Sequence, residues 1–490
     1  MFQEAEADPT LSQAEFKKLE EQLRIHLVNE QYRHLKLRDR ALLILVAGID
    51  GAGKGETINL LNEWMDPRHI HTIAFPEPTE HDQAYPAVRR FWMKLPQKGE
   101  IAIAFGSGYT SLFHQAAKKE IDHDQLERGI LAIRRFESTL VSNGIQVVKL
   151  WFHLSRQAQH QRIESLLANP STAWQVNKLD LKAQKKFKAI RRAGQLVIES
   201  TDAPHSPWTI IPSADPKVRA VRTAQTILQA LKAPPVKVPL FHDPSALPPL
   251  TKRRNPLDQL NFQATLSKAD YETEILQWQN RLAQAVRSKR FKHQALAIVF
   301  EGADAAGKGG AIRRVTRAID ARQFSIMPVA APSQSELMLP YLWRFWKNVP
   351  GHGRISIFDR SWYGRVLVER VEKLIPRTAW TRAYTEINDF ETQLAAHGVL
   401  VLKFWLAISP EEQLKRFRER EHSPYKQFKI TSEDWRNRRK WKSYHQAARD
   451  MFLHTDHPAA PWHVLSANDK RHARVEILKR IVLALENNHD

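Results

Sequence analysis

The chain has 490 residues, 42% of them hydrophobic, with no cysteine and with 74 Lys plus Arg against 53 Asp plus Glu, a formal net charge of +21. That length holds two to three domains with cores of their own and excludes a disordered tail, while the missing thiol excludes disulfides, thiol catalysis and cysteine-ligated zinc and permits a reducing compartment. The positive excess points to a polyanionic partner, whether nucleic acid, an anionic membrane or a phosphate chain.

In chain order, "MFQEAEADPT" is acidic and lacks the apolar run of a secretory signal, and runs such as "ALLILVAGI" from Ala41 are far shorter than a membrane span. A soluble cytoplasmic protein with no membrane contact is expected. The Ala41 run leads into "AGIDGAGKGE", where Gly48 to Lys54 spells G-x-x-x-x-G-K, the spacing of a phosphate-binding loop. The same spacing returns from Gly302 to Lys308 in "FEGADAAGKGG", and 302 − 48 = 254.

That offset holds without a gap. It carries "RRFWMKLP" (Arg89 to Pro96) onto "WRFWKNVP" (Trp343 to Pro350), "VVKLWFHLS" (from Val147) onto "VLKFWLAIS" (from Val401), and "TDAPHSPW" (from Thr201) onto "TDHPAAPW" (from Thr455). A period this long is a duplication of whole domains, each with its own core, rather than a solenoid repeat. The expected division is a first domain over 1–232, a linker over 233–257 and a second domain over 258–490. Seven prolines between Pro234 and Pro256 make the linker semi-rigid, because proline continues neither helix nor central strand.

In the second copy "ALAIVFEG" predicts a strand ending in the loop and "GGAIRRVTRAI" the helix after it. "RISIF" (from Arg354), "VLVLKFWLAI" (from Val399) and "PWHVLS" predict further strands, and "DKRHARVEILKRIVLALENN" a closing amphipathic helix. Near-continuous apolar strands alternating with helices imply an α/β fold, a parallel sheet covered on both faces with its chemistry at the strands' carboxyl ends.

The loop's residue types suit phosphate. Gly302, Gly307 and Gly309 let backbone N–H groups close on an anion, the helix start adds positive potential, and Lys308 neutralises charge. Gly309 stands where such loops carry the Ser or Thr that holds Mg²⁺. Asp304 sits inside the loop, where a carboxylate is repelled by phosphate unless a cation intervenes, so Mg²⁺ between Asp304 and the substrate is expected. A second carboxylate, Asp359, ends the strand "ISIFD" in the manner of a Walker-B aspartate, making Asp304 and Asp359 the metal pair. Arg360 and Arg365 follow as bidentate phosphate donors; a structural ion pair of Asp359 with Arg360 is the plain alternative.

Residues 411–450 predict a helical lid. Glu411 to Lys442 holds eleven Lys plus Arg against six Asp plus Glu, 11 − 6 = +5. Most of such a run is a solvated face, yet Arg416 and Arg420 share one helical face, as in a lid over phosphates. Trp435, Trp441 and Tyr444 read either as core or as a stacking surface for a base.

Taken in order, "EGADAAGKGG", "FDRSWYGR", "RFRER" with "PYKQFKITSEDW", and "APWHVLSANDKRHAR" resemble the polyphosphate kinase 2 family across nearly the whole second copy. The resemblance implies two tandem thymidylate-kinase-like P-loop domains, each a parallel sheet flanked by helices with a helical lid. It also implies phosphoryl transfer between inorganic polyphosphate and nucleotides. By resemblance the loop's essential pair falls on Asp304 and Lys308, the strand-end motif on Asp359, Arg360 and Arg365, the lid positives on Arg416, Arg420, Lys426 and Lys429, and the late motif on Asp469, Lys470 and Arg474. Two fused copies resemble the subgroup that phosphorylates AMP to ADP.

The first copy departs from the pattern. At the 254 offset Asp359 becomes Phe105, Arg360 Gly106, Arg365 Ser111, Arg420 Leu166, Lys426 Thr172, Lys429 Gln175, Lys470 Pro216 and Arg474 Ala220. Only the loop, with Asp50 and Lys54, remains, and an inactive first domain is expected. The function expected is transfer of the terminal phosphoryl of polyphosphate to AMP with Mg²⁺ as cofactor. An ATP-dependent nucleoside monophosphate kinase and a basic nucleic-acid-binding NTPase are the rivals, although no helicase, zinc or RNA-binding signature supports a nucleic-acid partner. A homo-oligomer is left open.

Overall fold

The computed structural model describes residues 1–176, 178–235, 255–424 and 427–487. Packing gathers the chain into two units. Unit 1 comprises Met1–Pro78, Phe91–Pro239 and Pro332–Tyr341; unit 2 comprises Thr79–Arg90, Leu240–Ala331 and Leu342–Asp490. The division expected between 1–232 and 258–490 is therefore crossed by two equivalent segments, each following the edge strand of its own copy. Most of the expected linker, residues 236–254, lies outside the described residues.

In unit 1, β1 (Ala41–Gly48), β2 (Ile70–Ala74), β3 (Ile101–Phe105), β4 (Ile145–His153) and β5 (Trp208–Pro212) form a parallel sheet of order β2-β3-β1-β4-β5. Unit 2 repeats it with β6 (Ala295–Gly302), β7 (Phe324–Pro328), β8 (Ile355–Asp359), β9 (Val399–Ala407) and β10 (Trp462–Ser466), ordered β7-β8-β6-β9-β10. These are the parallel α/β sheets expected. Ala295 through Phe300 are fully buried because helices cover both faces, which is why the strand is an unbroken apolar run. Strand β7 was not legible in the sequence: it is short, largely exposed and ends on Pro328, as an edge strand can.

Register places the chemistry. Phe300 pairs with Asp359 and Gly302 with Leu406, so the ends of β6 and β8 lie side by side at the sheet's carboxyl edge. The helix Lys308–Thr316 starts on the loop lysine, with Gly307 at φ +109° ahead of it. A Cβ on Gly302, at φ +132°, would lie 2.3 Å from the Leu406 carbonyl oxygen, so the turn leaving β6 takes glycine alone.

The lid is built from helices Pro410–Glu421, Ser432–Arg439 and Trp441–Thr455. Ser409 caps the first by accepting from the Glu412 amide at 3.2 Å, and Pro410 opens its first turn.

Beneath the site lies a fully buried ion pair. Lys403 Nζ meets Glu391 Oε2 at 2.7 Å and donates to Tyr363 Oη at 2.8 Å and Thr455 O at 2.7 Å, and Trp362 Nε1 donates to Glu391 Oε1 at 3.0 Å. Trp362 and Tyr363 belong to the 3₁₀ turn Trp362–Arg365, so the pair anchors the segment that follows Asp359. Burial alone would raise the Glu391 pKa; Lys403, His457 and Tyr363 outweigh it and hold the carboxylate below its ordinary value. Unit 1 keeps the pair as Lys149 and Glu137, 3.0 Å apart.

Candidate active site

The site grows from the phosphate loop. Lys308 Nζ folds back onto Gly302 O at 2.8 Å and Ala303 O at 3.2 Å, as Lys54 does onto Gly48 O and Ile49 O, both at 3.0 Å. Burial, then the nearby Arg360 charge, pushes the Lys308 pKa below its ordinary value against the pull of Asp304, Asp359 and Glu301. A Cβ at Gly309 would meet nothing within 4 Å, which leaves room where other phosphate loops place a hydroxyl.

Asp304 is the hub. Its Oδ1 accepts from Arg360 Nη2 at 2.6 Å and its Oδ2 from Asn437 Nδ2 at 2.8 Å, which joins the loop, the end of β8 and the lid helix Ser432–Arg439. Arg360 makes its ion pair with Asp304, so the structural Asp359–Arg360 pair that stood as the plain alternative is not formed. Among the described residues, the Asp359 carboxylate has no hydrogen-bond or ion-pair partner.

Two backbone positions carry strain. Arg360 has φ +67° and Ala305 φ +65°, left-handed conformations that cost a side chain about 1–2 kcal/mol each. At the same register unit 1 has Gly106 at φ +71° and Gly51 at φ +78°, which relieve it. Unit 2 thus keeps a strained side chain where Arg360 reaches Asp304, and unit 1 has glycine where no guanidinium stands.

The remaining expected residues spread around this hub. Arg365 pairs with Glu369 at 2.7 Å in the turn that the Lys403–Glu391 pair anchors. Arg474 reaches the first turn of the loop helix, its Nη2 lying 3.1 Å from where a Gly310 Cβ would stand, and Lys470 is exposed at the start of the same closing helix. Arg420 is half-buried on the first lid helix. Lys426 lies outside the described residues, and Lys429 belongs to the 3₁₀ turn Gln427–Lys429.

Arg416 differs from expectation. It does not face outward with Arg420 as a phosphate donor: its side chain is 3% exposed and its guanidinium donates to Glu412 and to backbone carbonyls of the loop. The aromatics resolve as well. Trp435 packs edge-on against Phe417 at 5.1 Å, and Tyr444 donates to Asn437 Oδ1 at 3.2 Å and Glu372 Oε1 at 3.4 Å.

Sequence reasoning missed Asn437, Glu372 and Glu301. Glu372 gathers Lys440 at 2.6 Å and Arg436 at 3.6 Å from the lid. Glu301 is buried, its pKa raised by that burial, and its Oε1 accepts from Ser361 Oγ at 2.8 Å. A signal for it existed: the offset puts Ala47 under Glu301 while Ser107 persists under Ser361, and Ser107 Oγ is buried without a partner among the described residues.

Among the described residues no group of three or more His, Asp or Glu side chains is arranged for a metal. Two carboxylates still fit Mg²⁺ at a phosphoryl site, because that ion keeps waters and takes the rest of its oxygens from phosphates.

The profile described as Polyphosphate kinase 2 (PPK2) matches residues 10–239 and again 265–490. The chain is 43% identical over 489 residues to the polyphosphate:AMP phosphotransferase of Pseudomonas syringae pv. tomato, covering 99% of this chain and 98% of that protein. It is 39% identical to the protein of the same name from Acinetobacter johnsonii, with 96% and 97% covered. The crystal structure of a polyphosphate kinase 2 from Pseudomonas aeruginosa PA01 superposes with a TM-score of 0.89 at 42% identity, covering 99% of each chain. With two matched copies and a shared fold over its whole length, the chain belongs to the polyphosphate kinase 2 family.

Proposed function

We propose that the protein transfers the terminal phosphoryl group of inorganic polyphosphate to AMP, giving ADP and a chain one phosphate shorter, at the site of unit 2. The observation that carries this is the cluster of Asp304, Lys308, Asp359 and Arg360, present in unit 2 and dismantled in unit 1, in a chain that matches polyphosphate:AMP phosphotransferases over their full length.

The AMP phosphate is already anionic near neutral pH, so the site has to position and neutralise rather than abstract a proton. The loop amides and Lys308 cradle the transferring group, and Arg360 stabilises charge that spreads over its oxygens. To act on phosphate, Arg360 loosens from Asp304 Oδ1, while Asn437 keeps its lid contact on Oδ2. Asp304 and Asp359 would hold Mg²⁺, which supplies neutralisation of phosphate oxygens when bound. Arg420, Lys470 and Arg474 line the path of the polyanion, and Arg365 joins the catalytic residues. Unit 1, lacking the strand-end carboxylate and the arginines, is inactive. Among the described residues no helix is long and apolar enough to cross a membrane. We place the reaction in the cytoplasm, where nucleotides are at hand.

The test is ADP formation by purified protein given Mg²⁺, polyphosphate and AMP with no ATP, beside ADP, GMP and ATP-donor controls. ADP from AMP and polyphosphate is expected. Turnover only with ATP as donor would make the protein a nucleoside monophosphate kinase, and no turnover with any pair would overturn an enzymatic reading.

A further inference from the structure

The guanidinium of Arg416 is occupied by protein. Nε donates to Glu412 Oε1 at 2.6 Å, Nη1 to Ala305 O at 3.0 Å and Ala306 O at 3.2 Å, and Nη2 to Ala467 O at 2.7 Å and Asn468 O at 2.8 Å. An arginine has five N–H donors, and these five bonds leave none for a ligand. Beside it, Gln413 Nε2 donates to Asp304 O at 3.1 Å. The first lid helix thus holds three consecutive loop carbonyls, those of Asp304, Ala305 and Ala306, and ties them to the end of β10.

Unit 1 solves the same problem differently. Gln159 holds Asp50 O at 2.8 Å, and Arg162, at the register of Arg416, holds Gly51 O at 2.9 Å and then turns to Glu56 Oε1 at 2.5 Å, with no second carbonyl among the described residues. The carbonyls matching Ala306 and Ala467 are those of Ala52 and Ser213, and Arg219 takes them, at 3.4 and 3.1 Å, from the closing helix Pro216–Lys232. Arg219 is 2% exposed and is steadied by Thr57 Oγ1 at 2.7 Å and Glu56 at 2.8 Å. Unit 2 has Ala473, Ala311 and Gly310 at these three positions. In the unit with the chemistry, one lid arginine spans carbonyls that the degenerate unit divides between the lid and the closing helix.

We propose that Arg416 is a positioning residue for phosphoryl transfer, keying the phosphate loop to the lid helix so that loop and lid keep one geometry, and that it is not a polyphosphate ligand. This rests on the transfer reaction proposed above. Lysine at this position keeps the charge but cannot span carbonyls on two segments, so charge and geometry are separable.

The experiment compares wild type with Arg416→Lys at matched folded fraction, measuring kcat, KM for polyphosphate and the salt dependence of kcat/KM. The expected result is kcat lower by about ten-fold, with KM for polyphosphate and the salt slope both unchanged. Adding Ala311→Thr and Ala473→Arg, which supplies the arginine of the unit 1 clasp and its threonine support without its glutamate, is expected to restore part of kcat. A raised KM for polyphosphate with a shallower salt slope would make Arg416 a phosphate ligand and overturn the proposal, as would an unchanged kcat or a folded triple variant with no recovery. Should Arg416→Lys fail to fold, Glu412→Gln, which frees the guanidinium from its orienting carboxylate, is judged by the same criteria. Hydrogen exchange at the Ala305–Lys308 amides is expected to quicken in either variant without any substrate, and unchanged exchange would overturn the clasp. A wild type that makes no ADP would overturn the reaction alone, because exchange still reports on the clasp.

Discussion

Arg360 donates to Asp304 at 2.6 Å across 56 residues of sequence, from a left-handed backbone position that its counterpart in unit 1 fills with glycine. Stability and activity therefore separate at this residue. Arg360→Gly is expected to cut ADP formation by at least about 100-fold while unfolding free energy moves by no more than about 1 kcal/mol, since relief of strain offsets the lost ion pair. Steady-state kinetics beside thermal unfolding checks this; a variant keeping half its activity would remove Arg360 from the mechanism.

Asn437 holds Asp304 Oδ2 at 2.8 Å and is itself held by Tyr444, so its amide is a lid contact on the loop. Asn437→Ala is expected to lower kcat by about five-fold through a lid that closes less often. Single-turnover rates at saturating AMP and polyphosphate measure the effect directly, and a wild-type rate would show that the contact plays no part in closure.

Glu301 lies buried below Arg360 and accepts from Ser361 Oγ at 2.8 Å. Glu301→Ala recreates the situation of Ala47 and Ser107, where the serine hydroxyl is buried without a partner among the described residues. A loss of about ten-fold in kcat is expected as the turn after Asp359 loosens. Restoration by Glu301→Gln, which can still accept from Ser361, would separate hydrogen bonding from charge.

The Lys403–Glu391 pair is fully buried on both sides. Replacing Lys403 by Met leaves a carboxylate without its main counter-charge and is expected to cost about 3–5 kcal/mol of stability. Denaturant unfolding of the full chain reads this out, and a change below about 1 kcal/mol would mean that His457, Tyr363 and Trp362 suffice to hold Glu391.

Glu6 accepts from Arg191 at 2.6 Å and lies 3.0 Å from His153 Nε2; the Arg191 bonds, against burial, draw its pKa down from 4.5 to about 2. A depressed carboxylate adds stability that is complete above the unfolded value and is lost as pH falls through the folded one. Glu6→Gln is thus expected to lower Tm at pH 6, with the gap from wild type closing as pH drops from 4.5 toward 2. Thermal melts across that range test it, and a gap independent of pH would contradict the assignment.

Much of this was legible because periodicity and duplication are properties of the chain itself. The buried strands β6, β8 and β9 showed as apolar runs since both of their faces are covered. Edge strand β7 did not, because a half-exposed strand needs no such run. The departures of the first copy were legible by register alone, since an offset of 254 carries Asp359, Arg360 and Arg365 onto Phe105, Gly106 and Ser111.

The sequence by itself determined the fold class, the phosphate loop and the replacement of the strand-end aspartate and arginines in the first copy, because each is written in residue type and spacing. Only the tertiary structure decided what each charge does. Arg416 and Arg420 stand four apart with the same chemistry, yet Arg416 spends its donors on Glu412, on two loop carbonyls and on the carbonyls of Ala467 and Asn468. Asn437 gave no sign of its bond to Asp304, 133 residues away. A guanidinium or an amide binds whatever acceptor the packed chain brings within about 3 Å, and that distance is set by how helices and sheet ends meet.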